Sequence, residues 1–162
     1  MASEQESSIY NKSLDILSYR EHSRKELKNK LIKKFDNAQL VEKTLTKLEN
    51  NNLLNDIRFA EAYISMRKRK GFGPKKIFFE LKEKGIRDLV ARKSIEEEGG
   101  WAETASKTFV KKFKDGISDD FKINLKQRNF LQNKGFGFKE IEFVFGSDML
   151  WFHGMSYEVL AR

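Results

Sequence analysis

The sequence predicts an all-α protein of three tandem three-helix repeats, stacked into an elongated, curved array, and three observations carry that expectation. Apolar residues recur three or four apart along most of the 162 residues: Tyr10, Leu14, Leu17; Leu27, Leu31; Val41, Leu45, Leu48; Phe59, Tyr63; Ile77, Leu81; Ala105, Phe109, Phe113; Ile141, Phe145. That is the period of a helix with one buried stripe, and no stretch alternates as a half-buried strand does. A single proline leaves long helices unbroken. The turn signals also recur: Leu31, Leu81 and Leu131 stand 50 residues apart, and Lys84-Gly85-Ile86 returns as Lys134-Gly135-Phe136. A unit of that length buries too little apolar surface alone, so neighbours must stack.

Taken in order, residues 1–8 are polar, show neither a signal nor a transit pattern, and are expected to be disordered. Repeat one spans 9–54. Its second helix opens on Ser23, with Glu26 completing a capping box, and Asn50 to Asn52 supply a stop. Lys34-Phe35 lacks the glycine found at the equivalent turn of the other repeats, so this unit is slightly irregular. Repeat two spans 55–99. There Gly73-Pro74 places proline at the first helical position, where its missing N–H costs nothing, and Gly85 ends the helix. Repeat three spans 100–146 and turns at Gly135; Gly71 to Pro74 matches Gly135 to Phe138 in glycine spacing. Residues 147–162 form an atypical apolar tail with Met149, Leu150, Trp151, Phe152 and Met155. It reads either as a segment folded back over the last repeat or as a docking tail.

The composition excludes several chemistries. With no cysteine there is no disulfide, thiolate metal site or cysteine nucleophile, and a reducing, cytoplasmic compartment is expected. The longest apolar runs are a few residues, far below the roughly 20 that cross a bilayer, so no membrane partner is expected. The two histidines, His22 and His153, lie far apart, and His22 beside the capping box reads as solvated. Gly71-Phe72-Gly73-Pro74 lacks the Lys-Ser/Thr of a phosphate loop. Glu96 to Glu98 point in different directions around a helix and read as the end of a polar face. No catalytic, cofactor-binding or metal-binding residue is expected; the protein reads as a non-enzyme.

Charge is more informative. Thirty-two Lys+Arg against 24 Asp+Glu give +8, which favours a polyanionic partner. Between Ser65 and Lys84 alone, Arg67, Lys68, Arg69, Lys70, Lys75, Lys76, Lys82 and Lys84 face only Glu80 and Glu83. Cations at the end of a helix are favoured by its dipole, but Lys75 and Lys76 sit at a helix start, against it, and so point to an external anion. Repeat one carries Arg20, Arg24, Lys25, Lys28, Lys30, Lys33 and Lys34 against Glu21 and Glu26; repeat three carries Lys107, Lys111, Lys112 and Lys114. Stacked repeats would merge these sets into a stripe suited to a polymer. Of the 14 phenylalanines, Phe72 and Phe78 read as packing, whereas Phe79, opposite Ile77 and Leu81, reads as an exposed contact residue. A sequence-specific helix-turn-helix DNA-binding protein is the alternative, although no helix end shows Asn, Gln or Arg poised as a reader.

Asp56-Ile57-Arg58-Phe59-Ala60-Glu61-Ala62-Tyr63, then Arg67, Gly71-Phe72-Gly73-Pro74, Lys76-Ile77, Glu80-Leu81 and Lys84-Gly85-Ile86, resembles the signature of the RecX regulators. Arg20 to Leu27 with Leu31 is similar to that family's first repeat, and Phe130-Leu131 with Lys134-Gly135-Phe136 to its third, so the resemblance covers residues 10 to 146. It implies a cytoplasmic bacterial protein of three helical repeats that modulates RecA in DNA repair, recombination and the SOS response. Such proteins bind in the groove of the RecA filament on single-stranded DNA and generally inhibit strand exchange and ATP hydrolysis. It further implies that Arg58, Phe59, Ala60 and Tyr63 pack between repeats, with Gly71, Gly73, Pro74, Ile77, Leu81 and Gly85 structural, and that Arg67 lies at the surface. The expected partners are a RecA filament and single-stranded DNA, with double-stranded DNA as a further candidate, met by a monomer. The expected filament-binding residues are Arg20, Arg24, Lys25, Lys28, Arg67, Lys68, Arg69, Lys70, Lys75, Lys76, Phe79, Lys111 and Lys112.

Overall fold

The computed structural model describes residues 3–146; the apolar tail at 147–162 lies outside the described residues. Within them the chain forms nine helices and no strand: α1 Glu4–Tyr19, α2 Arg24–Lys34, α3 Ala38–Asn50, α4 Asp56–Arg69, α5 Pro74–Glu83, α6 Asp88–Glu98, α7 Trp101–Lys112, α8 Phe121–Asn133 and α9 Phe138–Phe145. None of them is long and apolar enough to cross a membrane.

Capping decides where the first helices begin. Helix α1 starts at Glu4, inside the segment expected to be disordered, because the Ser3 hydroxyl accepts from the Glu6 N–H while Glu6 accepts from the Ser3 N–H. Ser23 and Glu26 make the same reciprocal pair at α2. Asn37 and Asn55 cap α3 and α4 through their side-chain oxygens.

Termination follows one recurring device. After α3, α4, α5 and α8 the residue at Asn52, Gly71, Gly85 or Gly135 takes a positive φ. Its N–H returns to a carbonyl three back, and the next N–H to one five back: Ile86 to Leu81 at 3.0 Å, Phe136 to Leu131 at 3.1 Å, Phe72 to Arg67 at 3.2 Å, Leu53 to Leu48 at 2.9 Å. Helix α2, which lacks the glycine, ends instead on an extended Phe35.

The chain forms two compact units. The first comprises the described residues up to Tyr63 with Leu81–Ser94; α1, α2 and α3 pack together over Ile9, Leu27, Leu31, Val41, Leu45, Leu48 and Leu54. The second comprises Ile64–Glu80 with the described residues from Ile95 onward. There α7, α8 and α9 close over Ala105, Phe109, Val110, Ile117, Leu131, Phe136, Ile141, Val144 and Phe145. Leu31, Leu81 and Leu131 are all fully buried.

In the second unit two Gly-Phe-Gly turns dock backbone to backbone. The Gly73 N–H donates to the Lys134 carbonyl at 2.8 Å and the Lys75 N–H to the Gly135 carbonyl at 2.9 Å. A Cβ on Gly73 would sit 2.4 Å from the Gly135 carbonyl carbon, and one on Gly135 would sit 2.4 Å from the Lys76 Cβ. No side chain fits between these turns, which is why both carry glycine.

Candidate nucleic-acid interface

The docked turns set the geometry of a basic cleft in the second unit. Its volume is about 820 Å³, and it is lined by Lys68, Arg69 and Lys70 from the end of α4, by Lys107, Lys111 and Lys112 from α7, and by Lys134 after α8. On α7, Thr104, Lys107, Thr108 and Lys111 fall three or four apart and face the cleft, while Ala105, Phe109 and Val110 face the core. Thr108 ties this wall to the α4 turn by donating to the Gly71 carbonyl at 3.2 Å.

Among the described residues Glu98 is the one carboxylate in the lining, and it is engaged: Lys68 Nζ lies 3.6 Å from it and the Ser65 hydroxyl 3.4 Å. Lys68 also donates to the Gly99 carbonyl at 2.7 Å and lies over the Trp101 ring at 5.4 Å. Among the described residues, Arg69, Lys70, Lys107, Lys111 and Lys112 have no carboxylate partner. Lys134 faces the rings of Phe72 and Phe130, at 4.7 and 5.6 Å. The ends of α4, α7 and α8 all carry cations, which each dipole favours by about 0.3–1 kcal/mol; their convergence concentrates positive charge with little to neutralise it.

The other expected contact residues are placed differently. Arg67 is not a surface residue: its side chain is 17% exposed, Nε and Nη2 grip both Glu80 oxygens at 2.9 and 2.7 Å, and the guanidinium lies 3.7 Å from the centre of the Phe72 ring. Lys75 and Lys76 are exposed at the start of α5, with Lys76 Nζ 5.0 Å from the same ring. Phe79 is 65% exposed beside Phe78, as its spacing predicts.

In the first unit the basic residues find partners distant in sequence. Arg24 pairs with Glu42 and Glu49, Lys28 with Glu42, Arg20 with Glu26, and Lys25 donates to the Glu83 carbonyl. Arg58 pairs with Glu21 and also donates to the Asn52 carbonyl. Phe59 and Ala60 are buried, and Phe59 stacks on Tyr63 at 5.7 Å. Burial alone raises the pKa of Glu26, but the Arg20 hydrogen bond, the Ser23 N–H and the charges of Arg20 and Lys84 outweigh it and hold the carboxyl below its ordinary value.

His22 is buried, not solvated. Its Nδ1 lies 3.0 Å from the Arg20 carbonyl and its Nε2 2.9 Å from Lys30 Nζ. The carbonyl only accepts and the ammonium only donates, so the ring is the neutral Nδ1–H form.

The sequence reading missed Lys134 as part of the charged surface, having treated it only as turn punctuation, and it left Lys107 out of the contact set. The 104/107/108/111 spacing was the available signal for Lys107. Nothing local signals Lys134, which is brought in by the docked turns.

The comparisons with known proteins agree with this architecture. Residues 10–48 match the family model described as "RecX, first three-helix domain", and residues 55–94 match "RecX, second three-helix domain". The regulatory protein RecX of Legionella pneumophila (strain Corby) is 37% identical over 139 residues, which are 84% of this chain and 91% of that protein. That of Pseudomonas tolaasii is 33% identical over 125 residues, 76% of this chain and 81% of that protein. The crystal structure of RecX from Lactobacillus salivarius superposes with a TM-score of 0.72 at 26% identity, over 86% of this chain and 94% of the other. Similarity of sequence at this level across most of both chains, together with the shared fold, means that the chain belongs to the RecX family of regulatory proteins.

Proposed function

We propose that this chain is a cytoplasmic monomer that binds a RecA filament on single-stranded DNA and inhibits its recombinase and ATPase activities in DNA repair, recombination and the SOS response. Family membership supports the regulatory part of the reading. The concentration of cations in one cleft of the second unit is the observation that supports a DNA-containing partner. The mechanism is occupancy: no bond is made or broken, a groove filled by this protein cannot accept incoming duplex, and bridged subunits cannot rearrange. The three repeats, with limits near 9–54, 55–99 and 100–146, each add weak contacts that reinforce one another through high effective concentration.

The test is RecA-catalysed ATP hydrolysis on single-stranded DNA with and without the protein. Inhibition is expected, and it should weaken when Arg69, Lys70, Lys111 and Lys112 are changed together to Ala. An unchanged rate with the unmodified protein overturns the reading.

A further inference from the structure

We propose that the basic cleft of the second unit is a site for closely spaced phosphates, occupied by a short run of single-stranded nucleic-acid backbone or, in its place, by a free linear triphosphate. This deepens the reading above by assigning the nucleic-acid contact to one cleft and a defined set of side chains, independently of any protein partner.

The volume of about 820 Å³ is that of a pocket for one small ligand. It suits a few consecutive phosphates and not the length of a polymer. The walls supply what such a ligand needs. Lys107 and Lys111 stand one helical turn apart on α7, and Arg69 and Lys70 at the end of α4 and Lys134 after α8 line the same cleft. Glu98, the one lining carboxylate, is held by Lys68 and Ser65. The hydroxyls of Thr104, Thr108 and Ser65 add polar groups, and Phe130 gives one apolar wall on which a base can rest. A set of like charges drawn together by the fold repels itself, and a polyanion relieves that repulsion while releasing its own counterions.

In the first unit the expected contact residues are already engaged: Arg20, Arg24 and Lys28 neutralise carboxylates, and Lys25 is bound to a main-chain carbonyl. Geometry and not total charge therefore distinguishes the cleft, whose cations share one cavity with a single engaged carboxylate among the described residues.

The experiment measures fluorescence anisotropy of a short labelled oligothymidylate with the full-length protein and no recombinase, over a range of salt, and isothermal titration calorimetry of the same protein with inorganic triphosphate. With about three phosphates engaged, the logarithm of affinity should fall with the logarithm of salt at a slope of about −2. The double variant Lys107→Ala, Lys111→Ala should bind at least about tenfold more weakly with a slope of about −0.7, as about 0.7 is lost for each of the two contacts. Lys43→Ala, which removes an exposed cation of the first unit, should bind as the unmodified protein does, and circular dichroism should show all three forms folded, with the double variant melting no lower than the unmodified protein. Binding by the strand alone, or by triphosphate alone, supports the site and names its occupant. Binding of both ligands at unmodified strength by the double variant, or by neither ligand to any form, overturns the proposal. Because no RecA is present, that failure leaves the filament reading standing.

Discussion

The Arg67 guanidinium and the Glu80 carboxylate meet side-on through two hydrogen bonds, with the Phe72 ring beneath the guanidinium. The pair joins the last turn of α4 to the middle of α5, across the Gly71-Phe72-Gly73 turn. A lysine carries the same charge but cannot form the planar double contact or stack as well. Arg67→Lys is therefore expected to cost roughly 1–2 kcal/mol and Arg67→Ala roughly 2–3 kcal/mol, measured by urea denaturation. Equal stability of Arg67→Lys and the unmodified protein would show that the fork geometry contributes nothing.

Gly73→Ala should destabilise the second unit by at least about 2 kcal/mol, since the added methyl meets main-chain atoms that cannot swing away. Gly116→Ala provides the contrast. It carries the strain of a positive φ, but its new methyl meets nothing within 4 Å. A thermal melt in which the two variants lose the same stability would contradict the backbone-contact argument.

Leu31, Leu81 and Leu131, 50 residues apart, are each wholly enclosed. Replacing any one by Ala should cost about 2–5 kcal/mol through lost burial and the cavity left behind. Differential scanning calorimetry of the three variants measures this, and a loss near zero at any site would mean that its surroundings collapse to fill the space.

His22 gives a pH dependence of stability with a defined sign. Burial holds its pKa below the ordinary imidazole value, the charges of Arg20 and Lys30 push the same way, and the Arg20 carbonyl and Glu26 oppose them only partly. The unfolded chain thus takes up the proton first as pH falls below about 6.5, and stability should decline there; above that pH the group is neutral in both states and contributes no slope. Glu26 acts in a lower window, because its depressed pKa makes its contribution present above the ordinary carboxylate range and lost as pH falls through it. Chemical denaturation at pH 7.5 and pH 5.5 should show a decline that His22→Gln removes; an identical decline in the variant would assign it elsewhere.

Much of the fold was legible because its signals are local. The three-or-four spacing of Val41, Leu45 and Leu48, the Ser23/Glu26 capping box, and glycines two residues beyond a helix each act over a single turn or two. The start of α1 at Glu4 rests on the same capping pattern, Ser3 with Glu6, but the polar composition of residues 1–8 masks it. What could not be read was pairing across sequence. Counting charges in a window sets Arg24 and Lys28 against Glu21 and Glu26 alone, whereas the carboxylates that neutralise them arrive on α3. Arg67 has its partner 13 residues away, beyond a turn whose direction no window shows. The burial of His22 likewise depends on how α2 is packed. Conversely, Lys70 at the end of α4 and Lys134 after α8 come together only once the Gly-Phe-Gly turns have met.

That meeting is made of main-chain atoms, and amide-to-carbonyl joints are indifferent to ionic strength. Adding salt to this molecule should strip an anion from the lysines long before it loosens the walls on which they stand, so attachment and architecture answer to different solution conditions. A regulator made this way can be washed off its target and return unchanged, ready for another round.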